Sequence, residues 1–93
     1  LRAAVESTFN SITVDGDMST NDTVLVLANG TAGNIPVRCG TGACGLLEGA
    51  LVDMCGELAE MMVRDGEGAT KIVEVEVRGA ASVAEAKKAA GAV

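Results

Sequence analysis

A single aromatic side chain, Phe9, serves the whole chain of 93 residues. Aromatic rings bury about 150–250 Å² each, so their near absence removes the largest single contributions a core can have. Val, Leu, Ile, Ala and Met remain, and this is light apolar material. A globule of this size buries only roughly 60–65% of the surface its unfolded chain exposes. Both constraints predict one domain, or part of one, built to pack against something larger.

Charge narrows the partners. Lys and Arg number 7 against 13 Asp and Glu, a net charge of −6. Such a surface repels phosphate backbones and anionic lipid, so neither nucleic acid nor a membrane surface is expected as a partner. No apolar run reaches the ~18–20 residues that span a bilayer. No signal-peptide pattern opens the chain, so a cytoplasmic location is the expectation. Histidine is absent, which removes imidazole base chemistry and His metal ligation from these residues. Cys39, Cys44 and Cys55 are an odd number without a secretory signal, which argues against a disulfide framework.

Leu1 to Thr8 read as the last turns of a helix. Ile12 and Val14 alternate with Ser11 and Thr13, the pattern of a half-buried strand over Ser11 to Asp15. Asp15-Gly16 and the polar run to Asp22 make a turn or short loop. Thr23 to Ala28 are apolar at nearly every position, which predicts a strand covered on both faces. Asn29-Gly30 ends it, and a Gly-rich connection with the single proline, Pro36, follows. Leu47, Leu51, Met54, Leu58 and Met61 recur at helical spacing and predict a helix from about Cys44 to Arg64, with that stripe inward. Gly66 fits a left-handed C-cap. Val73, Val75 and Val77 alternate with charged residues over Ile72 to Arg78, a third strand. Ser82 and Glu85 form a capping box that opens a last helix, expected to run off the end at Val93 without a cap. The predicted fold class is α+β: an αββαβα segment of a layered sandwich, with helices packed on a mixed or antiparallel sheet. With no initiator Met, and with both ends inside helices, the expectation is an internal piece of a longer protein.

Two stretches carry chemical interest. In Asp17 to Asp22, five of six side chains are small and polar, as in a solvated hairpin turn held by its own side chains. An EF-hand reading from Asp15 fails, because Thr20 stands where Gly is needed and Val26 where the bidentate Glu is needed. The second stretch is Asp65 to Lys71, DGEGATK, in which Glu67 sits between two glycines. Read by itself, Glu67 is a surface turn glutamate. It is also a carboxylate placed where the backbone can approach a ligand.

The segment Phe9 to Gly30, FNSITVDGDMSTNDTVLVLANG, closely resembles the β-chain signature of the ornithine/glutamate N-acetyltransferase family. DGEGATK with its following valine-alternating strand and Gly79-Ala80 resembles that family's next signature, at a matching separation. The resemblance covers essentially the whole chain. It implies a precursor that cleaves itself before a threonine, whose hydroxyl is then activated by its own α-amine. That threonine passes acetyl from N-acetylornithine to glutamate in arginine biosynthesis. The resemblance places the nucleophile upstream of Leu1, the oxyanion-hole residues in an α chain, and further substrate contacts beyond Val93. It therefore implies no catalytic residue within residues 1–93, and a piece inactive by itself. Its implied partners are that α chain, further β chains in a hetero-oligomer, and the small molecules acetylornithine, glutamate and ornithine. No resident cofactor or metal is implied, and acetyl-CoA is an additional acetyl donor in some members.

One functional family position maps onto this chain, Glu67, as a substrate-binding carboxylate for an amino-acid ammonium or an aid to proton movement. Asp15, Thr20, Asn21 and Asp22 match the signature and are candidates for supporting the loop. Thr70 and Lys71 match the second block, and a solvated lysine at a strand start is the plain reading of Lys71. A rival reading is a non-catalytic module that binds small carboxylates at the helix start. A remote one rests on Cys39 to Gly45, which looks like the CGTGAC segment of diaminopimelate epimerase, a cysteine isomerase. That enzyme needs a second cysteine, and nothing around Cys55 resembles its site. Cys39 and Cys44 without further ligands do not make a zinc site.

Overall fold

The computed structural model describes residues 1–93 and is organised around one long helix. This helix, α2, spans Gly42–Arg64 and is 23 residues long. Thr41 caps it, its Oγ1 accepting from the Cys44 amide at 3.3 Å, which satisfies one of the free N–H groups of the first turn. The helix thus begins slightly before the apolar periodicity does. At the other end Glu60 pairs with Arg64 one turn later. That order is the favourable one, and it sets a cation against the negative end of the helix dipole.

Helix α1 (Arg2–Ser7) crosses α2 and continues into a 3₁₀ turn over Phe9–Ser11. Ala4 and Thr8 on one side and Cys55 and Ala59 on the other are the four buried residues of the chain. All are small, so the two backbones come close; a Cβ added at Gly56 would stand 3.9 Å from Thr8 Cγ2. The buried Thr8 hydroxyl donates to the Ala4 carbonyl at 2.7 Å, so no polar group is stranded there. Helix α3 spans Val83–Gly91, and Ser82 Oγ accepts from the Glu85 amide at 3.2 Å, as the capping signature predicts. It ends at Gly91 with Ala92 as its C-cap instead of running through Val93.

A lysine ties α3 back to the start of the chain. Lys87 Nζ donates to the Glu6 carbonyl at 2.7 Å and pairs with Glu6 Oε1 at 2.8 Å. The Lys87 hydrogen bond holds the Glu6 carboxyl below its ordinary range, helped by Asn10 Nδ2, which donates to the other oxygen at 2.9 Å.

The α+β expectation is overturned. The chain forms helices and turns only, with no strand and no sheet. Residues 13–37 and 70–81 make no backbone–backbone hydrogen bond, apart from helices and turns outside those ranges. The pattern of Thr23 to Ala28 is that of a strand, but a strand exists only where a neighbour accepts and donates along it. An apolar run on both faces also needs cover on both faces. Nothing within these residues supplies either, and Leu25, Val26 and Leu27 are exposed. The same holds for Ser11 to Asp15, whose first residue lies in the 3₁₀ turn, and for Ile72 to Arg78.

The inward stripe of α2 is corrected as well. Leu47, Met54, Leu58 and Met61 are exposed, while the adjacent face carrying Cys55, Gly56 and Ala59 receives α1. The accessible surface is 8076 Å², against about 5,000 Å² for a folded monomer of this mass. The chain therefore buries only about 40% of its extended surface, well short of the expected fraction. Its radius of gyration is 16.1 Å, where a compact domain of this length measures about 12 Å.

Two outcomes follow. In the full-length protein, Ala59→Leu forces α1 off α2 and lowers unfolding free energy by about 1–3 kcal/mol, the usual effect of overpacking, readable by denaturant titration. Lys87→Met speeds amide hydrogen exchange in α3. Because the Glu6 pKa is lowered by folding, its stabilising effect is complete above its ordinary value of 4.5. That effect disappears as pH falls below the ordinary value and through the lowered one, so wild-type exchange in α3 approaches that of Lys87→Met over that descent.

Candidate functional site

The end of α2 is a built turn. Asp65 is the C-cap, its amide donating to the Met61 carbonyl at 3.0 Å. Gly66 N donates to the Val63 carbonyl at 3.3 Å, and Ala69 N donates to the Gly66 carbonyl at 3.0 Å. Gly66-Glu67-Gly68-Ala69 is therefore a closed four-residue turn. Its third residue, Gly68, has φ +74°, the left-handed value that a type II turn requires there and that glycine adopts without penalty. The left-handed residue is thus Gly68, and the expectation of a left-handed cap at Gly66 is corrected. Glu67 occupies the corner of the turn. Its side chain is exposed and makes no hydrogen bond or ion pair within the chain.

The polar loop approaches this turn through the residue just before it. A Cβ placed on Gly66 would fall 2.8 Å from Val14 Cγ1. Val14 directly precedes Asp15, so the structure brings the polar loop and the Glu67 turn together. Sequence reasoning missed this pair. Val14 read as one more position of a strand, and a contact between residues so far apart in the chain leaves no local pattern.

The loop holds itself. Asp15 Oδ1 accepts from the Asp17 amide at 2.9 Å, an Asx turn completed by Gly16 at φ +85°. Thr13 Oγ1 accepts from the Gly16 amide at 3.1 Å, and Ser19 Oγ from the Asn21 amide at 3.3 Å. The side chains of Thr20, Asn21 and Asp22 are exposed and make no hydrogen bond. Of the four loop-support candidates, Asp15 has a structural partner and the other three point to solvent. Thr70 and Lys71 are likewise exposed, and Lys71 has no ion-pair partner.

The cysteines do not converge. Cys39 is exposed in the loop, Cys44 is half-buried in the first turn of α2, and Cys55 is buried against α1. A two-thiol isomerase needs its sulfurs on opposite faces of one substrate carbon, and Cys55 is sealed away. The helix start is partly engaged too, since Thr41 already occupies the Cys44 amide. Nowhere do three or more His, Cys, Asp or Glu gather as a metal site would require. Open hollows beside the end of α2 are lined by Met61, Met62, Arg64 and Asp65 and by Glu57 and Glu60. No helix is long and apolar enough to cross a membrane.

With the two signature blocks in contact, comparison with known proteins decides the family. The ArgJ family pattern matches residues 1–93. The chain belongs to the ArgJ family. It is 54% identical over 93 residues to the arginine biosynthesis bifunctional protein ArgJ of Symbiobacterium thermophilum, covering 100% of this chain and 23% of that protein. To the protein of that name from Geobacter sulfurreducens it is 52% identical over 92 residues, covering 99% of this chain and 23% of the relative. To the glutamate N-acetyltransferase of Methanocaldococcus jannaschii it is 53% identical over 93 residues, covering 100% of this chain and 22% of the relative. The chain thus spans less than a quarter of the length of these curated relatives. No solved structure matches it.

The geometry separates two roles for Asp15. Asp15→Asn keeps an oxygen for the Asp17 amide and leaves the unfolding free energy of the full-length protein near the wild-type value, whereas Asp15→Ala frees the loop and lowers it by about 0.5–1.5 kcal/mol. Equal losses in both variants would assign Asp15 a role as a charge.

Proposed function

We propose that this chain is the central part of the β chain of an enzyme that moves acetyl from N-acetylornithine to glutamate in arginine biosynthesis, with Glu67 contacting the amino-acid substrate. One observation carries the reading. The two blocks that resemble the acetyltransferase signatures meet at Val14 and Gly66, and the carboxylate beside that contact has no partner of its own. The names of the relatives support the chemistry, since one is a glutamate N-acetyltransferase and others are bifunctional arginine-biosynthesis proteins.

In this reading, a threonine hydroxyl outside this chain attacks the amide of N-acetylornithine, forming an acetyl ester and releasing ornithine, whose amine takes up the hydroxyl proton. The amine of glutamate then attacks that ester, forming N-acetylglutamate and returning the threonine hydroxyl. Glu67 holds a substrate ammonium by a charge-assisted hydrogen bond and stands ready to take the proton that the attacking amine must lose. The isolated residues 1–93 have no activity. An α chain from the same precursor and further β chains complete the assembly. No resident cofactor takes part, and acetyl-CoA enters, where it is used, as a substrate. The compartment is the cytoplasm in a prokaryotic source, and fungal relatives carry the word mitochondrial in their names.

The test is Glu67→Ala in the full-length enzyme. Acetyl transfer to glutamate falls by about 10²-fold or more, while the unfolding midpoint stays at the wild-type value because the side chain packs against nothing. Normal turnover in that variant removes Glu67 from the site. Asn21→Ala and Asp22→Ala, measured in parallel, show whether the unpartnered loop side chains meet substrate: raised KM in either places it there, and wild-type kinetics leave the loop a scaffold.

A further inference from the structure

We infer that Val14 and Gly66 form a positioning contact that sets where Glu67 stands relative to the polar loop, an inference that rests on the reading of Glu67 as a substrate contact. The argument starts from the space around Gly66. A Cβ added there would lie 2.8 Å from Val14 Cγ1, 3.2 Å from the Val63 carbonyl oxygen and 3.5 Å from Ala69 Cβ. These atoms belong to the loop, the last turn of α2 and the far side of the Glu67 turn. A methyl group turned away from one is driven toward another. The carbonyl is fixed as well, because it accepts the Gly66 amide.

Other glycines with crowding neighbours are few. Gly56 would meet Thr8 only at an ordinary contact distance, and Gly16, Gly30, Gly33, Gly40 and Gly68 have open space around them. At Gly66 the backbone φ is not left-handed, so glycine is needed there for room and not for conformation. Val14 is the piece of the loop that uses that room. Its β-branched side chain has few rotamers, so it acts as a stiff stop against the base of a turn whose two ends are hydrogen-bonded. The corner residue Glu67 follows wherever that base is held. Gly66 and Val14 are positioning residues; neither offers a group to substrate.

A size swap tests this in the full-length enzyme. Gly66→Ala is expected to raise KM for glutamate and to lower kcat/KM by roughly 10- to 100-fold, the effect of displacing a site by about 1 Å. Adding Val14→Ala to that variant makes room for the new methyl and is expected to restore most of the loss. A double variant as poor as Gly66→Ala, or a Gly66→Ala enzyme with wild-type kinetics, overturns the inference. If Gly66→Ala does not accumulate as folded protein, Val14→Ala decides by itself. It removes bulk at an exposed position and should raise KM for glutamate several-fold without moving the unfolding midpoint; an unchanged KM rejects the contact as a positioning device. Glu67→Gln, run alongside, keeps the outcomes apart. Full activity there defeats the substrate reading, whereas a crippled Glu67→Gln with no rescue by the size swap defeats the positioning contact only.

Discussion

The close approach of α1 to α2 is the constraint from which the rest of the arrangement follows. Ala4, Thr8, Cys55 and Ala59 are small enough for the helices to meet almost backbone to backbone, with Gly56 beside them. Helix separation is set by the side chains at the crossing, and short ones permit the shortest distances. Once α1 takes that face, the larger side chains of α2 are left on the other. Leu47, Met54, Leu58 and Met61 stay uncovered because α1 packs on the small face. The 3₁₀ turn then carries the chain from Thr8 off the end of α1, and Val14 arrives beside Gly66.

Local signals in the sequence translated into structure where the physics is local. The Ser82 cap, the extent of α2, the glycine turns at Gly16 and Gly30, and the Asp15 Asx turn all depend on residues within a few positions of one another. The strands did not appear, for the opposite reason. Alternation over Ile72 to Arg78 states a preference for a pleated, half-buried surface, but the surface must come from elsewhere. The misjudged face of α2 has a related cause. Periodicity finds the most apolar stripe, whereas Ala59 and Cys55 win the contact by shape, and small residues contribute little to an amphipathic pattern. For the site, the Glu67 turn was legible from its two glycines, although Gly68 and not Gly66 takes the left-handed role. The contact that joins the turn to the loop was not legible, since Val14 and Gly66 carry no shared pattern.

Surface area links this open arrangement to the proposed enzyme. The chain exposes about 3,000 Å² more than a self-contained monomer of its mass would. Stable association surfaces bury about 1,200–2,000 Å² over both partners, and obligate ones reach about 2,000–5,000 Å². The excess here belongs to a single side and includes exposed Leu25, Leu27, Ile35, Leu46 and Met54, and its size falls in the range of obligate surfaces. This supports placing residues 1–93 within a larger assembly. It also accounts for the missing aromatics, because a segment covered by other chain does not need rings of its own to close a core.

The acidic character of the chain then bears on the site. With a net charge of −6, an incoming dicarboxylate such as glutamate meets a repulsive field unless cations lie nearby. Here Arg64 is engaged by Glu60, Arg78 by Glu76 and Lys87 by Glu6. Lys71, just past the Glu67 turn, has no such partner. The unpaired Glu67 carboxylate itself favours an ammonium, which is the polarity the proposed contact requires. In the proposed reading, the carboxylates of the substrate are left to cations such as Lys71 or to surfaces that cover this one, and an unpaired carboxylate on a fixed turn would discriminate the two ends of an amino acid by charge.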